Sequence, residues 1–146
     1  MPEFLVVGCA DYHSVLDAGG QAKRIFTLSL PASGDGVKAA AAVASELVVG
    51  ANPTYCAIAH AEHGTVVYVV DETDSFEGRA TGMVRACRLA EDGTLSLLGT
   101  ARDSAGRHPC YVEVDQTGRW ALVANYSEGS VAVFPAQYWA VQYVVQ

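Results

Sequence analysis

The sequence predicts an all-β chain assembled from repeated antiparallel sheets, and three observations carry that prediction. Short apolar and alternating runs are separated by Gly-, Pro- and Asp-centred turns along most of the 146 residues. The segment "NPTYCAIAHAEHGTVVYVVDET" can be laid beneath "HPCYVEVDQTGRWALVANYSEG", pairing Pro53 with Pro109, Tyr55 with Tyr111, Gly64 with Gly118 and Asp71 with Asn125. The flanks recur too: "LPASGDGVKAAA" before the first copy matches "LAEDGTLSLLG" before the second, bringing Gly36 over Gly93 at an offset of about 56 residues.

Self-similarity at this spacing in a strand-rich chain points to a β-propeller, whose blades typically hold four strands each. The elements follow in chain order. The opening run 4–9 aligns with the second strand of a blade, "ALVAN", and "RIFTLSL" supplies a strand near 24–30. "VKAAAAVASELVV" has strong local helix propensity, but the repeat sets it opposite "TLSLLGTARD", so a strand is predicted over 37–49. Strands near 53–59 and 65–71 form the first copy of the repeat, and 82–90 and 94–100 complete its blade. In the second copy, near 109–114, the alternation in "YVEVD" puts Tyr111, Glu113 and Asp115 on one face and Val112 and Val114 on the other. "QTGR" is a tight turn in which Gly118 can take positive φ without steric cost. "WALVAN", near 119–125, is nearly all apolar, as suits a strand sandwiched between neighbours. Near 129–135, "GSVAVFP" ends at Pro135, which has no N–H for a ladder. Trp120 and Phe134 are expected in the core. The whole is a partial propeller of about two to two and a half four-stranded blades, with 1–135 as an incomplete propeller domain and 136–146 as an atypical tail.

Composition narrows the partners. Half the residues are apolar, 17% are charged and the formal net charge is −7, which is globular and disfavours nucleic acid or an anionic membrane as partner. Cys9, Cys56, Cys87 and Cys110 contain no Cys-x-x-Cys pair, so reduced thiols are expected rather than a disulfide scaffold or zinc site. "MPEFLVVGCAD" lacks a basic n-region and a long apolar run, and no run approaches a membrane span. A cytoplasmic location is expected, where the "NYS" acceptor at Asn125 would not meet a glycosyltransferase. In "HAEHG", His60 and His63 flank Glu62 in a turn, without helix context or a third ligand, and read as a solvated hairpin. "DETDSFEG" gathers Asp71, Glu72, Asp74 and Glu77 without calcium-loop spacing, and reads as a solvated insertion. No metal and no cofactor are expected.

Together, "GANPTYCAIA", "TVVYVVDET", "DGTLSLLG" and "GRHPCYVEVDQTGRWALVANYSEGSVAVFP" resemble the seven-bladed propeller lactonase family, the propeller type of 6-phosphogluconolactonase. The resemblance covers residues 4 to about 135. It implies hydrolysis of a small phosphorylated sugar lactone in the pentose phosphate pathway. That chemistry needs a positioned water, a group to take its proton, donors for the oxyanion and a cation for the phosphate. Fold alone does not fix function; a muconate-cyclising isomerase on the same scaffold and a non-catalytic fragment acting by association are the alternatives. Substrate contacts are expected from Arg107 and His108, just before an inner strand, from Tyr111, and from Asn125 and Tyr126 at the end of the next strand. For Asn125 and Tyr126, a structural role in the turn competes with substrate contact. The family usually has a histidine after the Pro-Cys pair where this chain has Tyr111. The family's acid/base histidine and arginines belong to later blades, so no catalytic residue is assigned. After Pro135, "AQYWAVQYVVQ" departs from the family pattern. Two apolar blade faces should then stand open, favouring self-association.

Overall fold

A computed structural model describes residues 3–8, 23–31, 41–61 and 64–136. They form ten strands: β1 (Glu3–Gly8), β2 (Arg24–Leu30), β3 (Ala42–Val48), β4 (Pro53–Ala61), β5 (Gly64–Asp71), β6 (Met83–Leu89), β7 (Leu95–Asp103), β8 (Pro109–Val114), β9 (Trp120–Asn125) and β10 (Ser130–Pro135). The strands group into three antiparallel sheets of sequential neighbours, β1-β2-β3, β4-β5-β6-β7 and β8-β9-β10. Ten strands amount to two and a half four-stranded blades, as the repeat requires. Among the described residues there is no helix: the helix-prone stretch is a strand over Ala42–Val48, because pairing to β2 overrides local propensity. Gly36, residues 37–40, Cys9 and the tail after Ala136 lie outside the described residues.

The repeat is visible in backbone detail. Register shifts between Pro53 and Tyr55 in β4, and at the same place in the second copy, between Pro109 and Tyr111 in β8. A proline opening a strand has no N–H to give, and the bulge that follows re-aims the next side chain. Gly118 has φ 69° in the turn between β8 and β9. That turn is tied by Asp115, whose carboxylate accepts from the Arg119 and Trp120 amides, both at 2.8 Å, and from the Thr117 hydroxyl. These bonds, the Thr117 hydroxyl foremost, hold the Asp115 carboxyl down at about 2.

Two cores lie between the three sheets. Val67, Val69 and Cys87 of the middle sheet pack with Ile25 of the first, joined by Val49 and Leu95. Hydrogen bonds cross the same seam: Thr27 Oγ1 donates to Gly93 O at 2.6 Å, and the Leu95 amide donates to Ser45 Oγ at 3.1 Å. On its other face the middle sheet packs Val66, Tyr68, Val70, Val84 and Ala86 against Val112, Ala121 and Val123 of the third. β5 is therefore buried along nearly its whole length, the consequence of lying between two neighbours.

β9 differs. Ala121, Val123 and Asn125 are buried, whereas Trp120 and Leu122 are exposed. The core expectation for Trp120 is thus corrected: its side chain is on the outward face of the third sheet, where no fourth sheet lies among the described residues. Phe134 does pack against the core. Asp71 is also corrected, being buried at the end of β5 rather than solvated in the loop beyond. Its carboxylate accepts from the Asn52 amide, and burial pushes its pKa up against that bond, the Ala51 amide and the Arg85 charge.

Candidate functional site

The loop entering β8 is held by a buried polar knot. The Thr81 hydroxyl donates to Gly106 O at 3.2 Å, Ser104 Oγ donates to the same oxygen at 2.7 Å, and the Gly82 amide reaches it at 2.8 Å. Asn125, fully buried, donates from Nδ2 to Ser104 O at 2.9 Å and to Ser130 Oγ at 3.3 Å. Gly106 lies so close to Asn125 that a Cβ would stand 2.7 Å from its Cγ. Asn125 thereby bolts the loop in place, as Asp71 does for the equivalent loop at Gly50 to Asn52. The donors of this knot make hydrogen bonds that water would otherwise have to supply, while Asn125 Oδ1 is buried without a partner among the described residues.

From that anchor the chain presents the residues singled out in the sequence. His108 has φ 51°, an uncommon conformation for a non-glycine residue, fixed by two backbone bonds: its amide donates to Thr73 O and its carbonyl accepts from the Tyr126 amide, both at 2.9 Å. The imidazole Nδ1 lies 2.6 Å from Ser127 Oγ. Arg107 donates from both its amide and its Nε to the Glu128 carboxylate, each at 2.6 Å. The Arg107 hydrogen bond is the main reason the Glu128 carboxyl is held below its ordinary range, and Glu128 raises Arg107 in turn. Tyr126 is 77% exposed beside them.

Four of the five expected contacts therefore meet at the ends of β8 and β9, but they are not equivalent. Arg107, His108 and Tyr126 present side chains to solvent, whereas Asn125 points into the knot beneath. Tyr111 lies one step along β8: its hydroxyl donates to Glu113 Oε2 at 3.1 Å and its ring packs on Tyr55. Sequence reasoning missed Ser127, Glu128 and Tyr55. The first two are within three residues of Asn125 in "NYSEGS"; the third is the repeat partner of Tyr111. His60 lies elsewhere, on the β4 edge of the hairpin, with Nδ1 3.1 Å from Thr65 Oγ1; His63 and Glu62 are outside the described residues. No cluster of three His, Cys, Asp or Glu side chains with metal-binding geometry occurs among the described residues.

Consecutive antiparallel sheets stacked face to face, with loops converging at the entry to each inner strand, define a β-propeller architecture. The chain belongs to the seven-bladed β-propeller lactonase family, whose sequence profile matches residues 5–142. The match runs past Pro135 into the segment set apart in the sequence. A 6-phosphogluconolactonase of Bacillus subtilis (strain 168) is 34% identical over 86 residues, covering 59% of this chain and 23% of the relative. Two solved structures, both provisionally named 6-phosphogluconolactonase, share the fold over 92% of this chain. The one from Bacteroides uniformis ATCC 8492 has a TM-score of 0.68 at 28% identity, and the one from Bacteroides fragilis NCTC 9343 has 0.67 at 29%. The chain spans about a quarter of the curated relative and a third of each solved chain.

Proposed function

We propose that this chain carries the phosphate-recognition part of a cytoplasmic 6-phosphogluconolactonase-type hydrolase acting on a phosphorylated sugar lactone. The observation that carries the reading is the Arg107–His108 pair, presented at the mouth of β8 on a loop locked by Asn125. Arg107 commits its Nε edge to Glu128, which orients the guanidinium and turns its terminal nitrogens toward a ligand. A phosphate there would gain charge-assisted, bidentate contact. His108 is fixed through Nδ1 by Ser127, leaving Nε2 to contact the lactone or its phosphate. Tyr126 adds an exposed aromatic wall, and Tyr111 a hydroxyl on the same strand. Family membership and the named relatives support the lactone as the substrate class. Among the described residues no helix is long and apolar enough to cross a membrane.

The test has two arms. Calorimetric titration of the 146-residue chain with 6-phosphogluconate, the reaction's product, should show binding that Arg107→Ala abolishes. Hydrolysis of 6-phosphogluconolactone is then followed for the same chain; a rate equal to buffer removes catalysis from this chain while leaving recognition standing. No titration signal removes both. The second reading, a non-catalytic fragment acting by association, is favoured by one observation: among the described residues, Leu5, Val43 and Val48 of the first sheet and Trp120, Val131 and Val133 of the third are exposed.

A further inference from the structure

We infer that Tyr55 sets the specificity of the proposed site: its ring stacks on the closed ring of a phosphorylated sugar and so tells the lactone from the open-chain acid. The inference rests on the recognition reading above and adds to it a residue of the neighbouring sheet.

The position follows from topology. β4 and β8 are edge strands of their sheets, and in a propeller the strand that opens each blade lines the central channel. Tyr55 pairs with Val70, and directly opposed residues project to the same side. Val70 packs against the third sheet, so Tyr55 stands on the side of the middle sheet that the third sheet covers. Ala57 and Ala59 continue that side and are drawn into the core. Tyr55 is nevertheless 41% exposed. The middle sheet has a neighbour on each side, so this exposure belongs to the inner edge of the stack and not to an end face.

The repeat places Tyr55 beside the Arg107–His108 pair. Asn52 and Tyr55 of the first copy correspond to His108 and Tyr111 of the second, and a bulge follows the proline in each. Tyr111 lies three residues past His108, roughly 10 Å along a strand. Tyr55 meets it ring to ring, with centroids 4.8 Å apart. A phosphate held by Arg107 therefore leaves the body of a hexose at the Tyr55 ring. The polar residue of the first copy is turned inward instead: Asn52 is buried and donates from Nδ2 to Glu72 O at 3.0 Å. What the middle sheet offers the site is an aromatic face rather than a second polar pair.

Chemistry selects what that face takes. The ring faces of a hexose lactone carry C–H bonds, which gain from an aromatic surface as other apolar groups do. The open-chain acid has no ring face, and flattening it against the tyrosine would cost chain entropy. Contact with Tyr111 holds the Tyr55 ring before any ligand arrives, so little side-chain ordering is left to weaken binding.

Calorimetric titration of the 146-residue chain with two stable probes tests this: glucose 6-phosphate, which is cyclic, and 6-phosphogluconate, which is open-chain. Tyr55→Leu should weaken glucose 6-phosphate about fivefold while 6-phosphogluconate stays within about twofold. Tyr55→Phe, which restores the ring, should restore glucose 6-phosphate binding. A purely structural role for Tyr55 would move both probes together. Circular dichroism checks that each variant is folded. Should Tyr55→Leu fail that check, nuclear Overhauser contacts between the Tyr55 ring and the C–H protons of bound glucose 6-phosphate decide the matter in the wild type. Equal losses on the two probes, no loss on either, or absent Overhauser contacts overturn the assignment to Tyr55 and leave recognition by Arg107 standing. No binding of either probe by the wild type removes the recognition reading and this inference with it.

Discussion

Tyr55 and Tyr111, which the repeat superposes, touch each other: their ring centroids are 4.8 Å apart at an interplanar angle of 42°. Each follows the bulge that opens its inner strand, so the same backbone device in adjacent sheets aims two rings at one another. Tilted aromatic pairs contribute about 0.5–1.5 kcal/mol beyond area burial. A double-mutant cycle of Tyr55→Leu and Tyr111→Leu by urea denaturation should return a coupling of about 0.5–1 kcal/mol. Tyr111→Phe, which keeps the ring and removes only the donor to Glu113, should stay within about 0.5 kcal/mol of the parent.

Gly82 tests how closely the sheets approach. A Cβ there would lie 2.2 Å from Cδ of Pro109, a clash with a rigid ring at the start of the next sheet. Gly82→Ala should cost about 1–3 kcal/mol by overpacking. Gly118→Ala meets nothing within 4 Å and pays only for its positive φ, about 1 kcal/mol. Denaturant midpoints of the two variants should fall in that order.

Asp71 gives a pH signature. Burial raises its folded-state pKa above the unfolded value, so its ionised form destabilises the fold at neutral pH. That penalty fades as pH falls through the folded pKa toward the ordinary carboxylate value. Asp71→Asn, which puts in blade two the residue that blade three already has, should therefore raise the melting temperature at pH 7. The gain should shrink on acidification.

Asp115 has the reverse sign. Its folded pKa is depressed to about 2, so its contribution is present above the unfolded carboxylate pKa and is lost as pH falls through 2. Asp115→Ala should be less stable than the parent at pH 7, and the two melting curves should converge toward pH 2.

Arg107 separates recognition from scaffold. In a form of the protein that hydrolyses the lactone, Arg107→Lys keeps the charge but loses the fork. KM for the phosphorylated substrate should rise about tenfold or more, with little change for an unphosphorylated lactone. An equal loss on both substrates would assign Arg107 to holding the loop instead.

The strands were legible because one copy of the repeat could be used to parse the other. Even the alanine-rich stretch yielded to it, since a sheet partner outweighs helix propensity in Ala42–Val48. Burial was less legible. "WALVAN" reads as a sandwiched strand, yet a sequence shows which side a residue faces and not whether anything lies against it; Trp120 is exposed for that reason. The pairing of Arg107 with Glu128 crosses two loops 21 residues apart, and only the register of β8 on β9 brings them together. Asn125 illustrates the same limit: its type fits either a ligand contact or a bolt, and its direction is decided by the Gly106 approach.

Cys87 sits in the seam between the first and middle sheets, wholly buried, and that burial pushes its thiol up to about 12. At mildly alkaline pH it holds almost no thiolate while the seam is shut, and so resists alkylation. Its rate of labelling, read peptide by peptide, is then a clock for the parting of one wedge from the next. Set against the rate of global unfolding followed by circular dichroism, it tells separation of the first sheet apart from collapse of the whole stack without any residue being substituted.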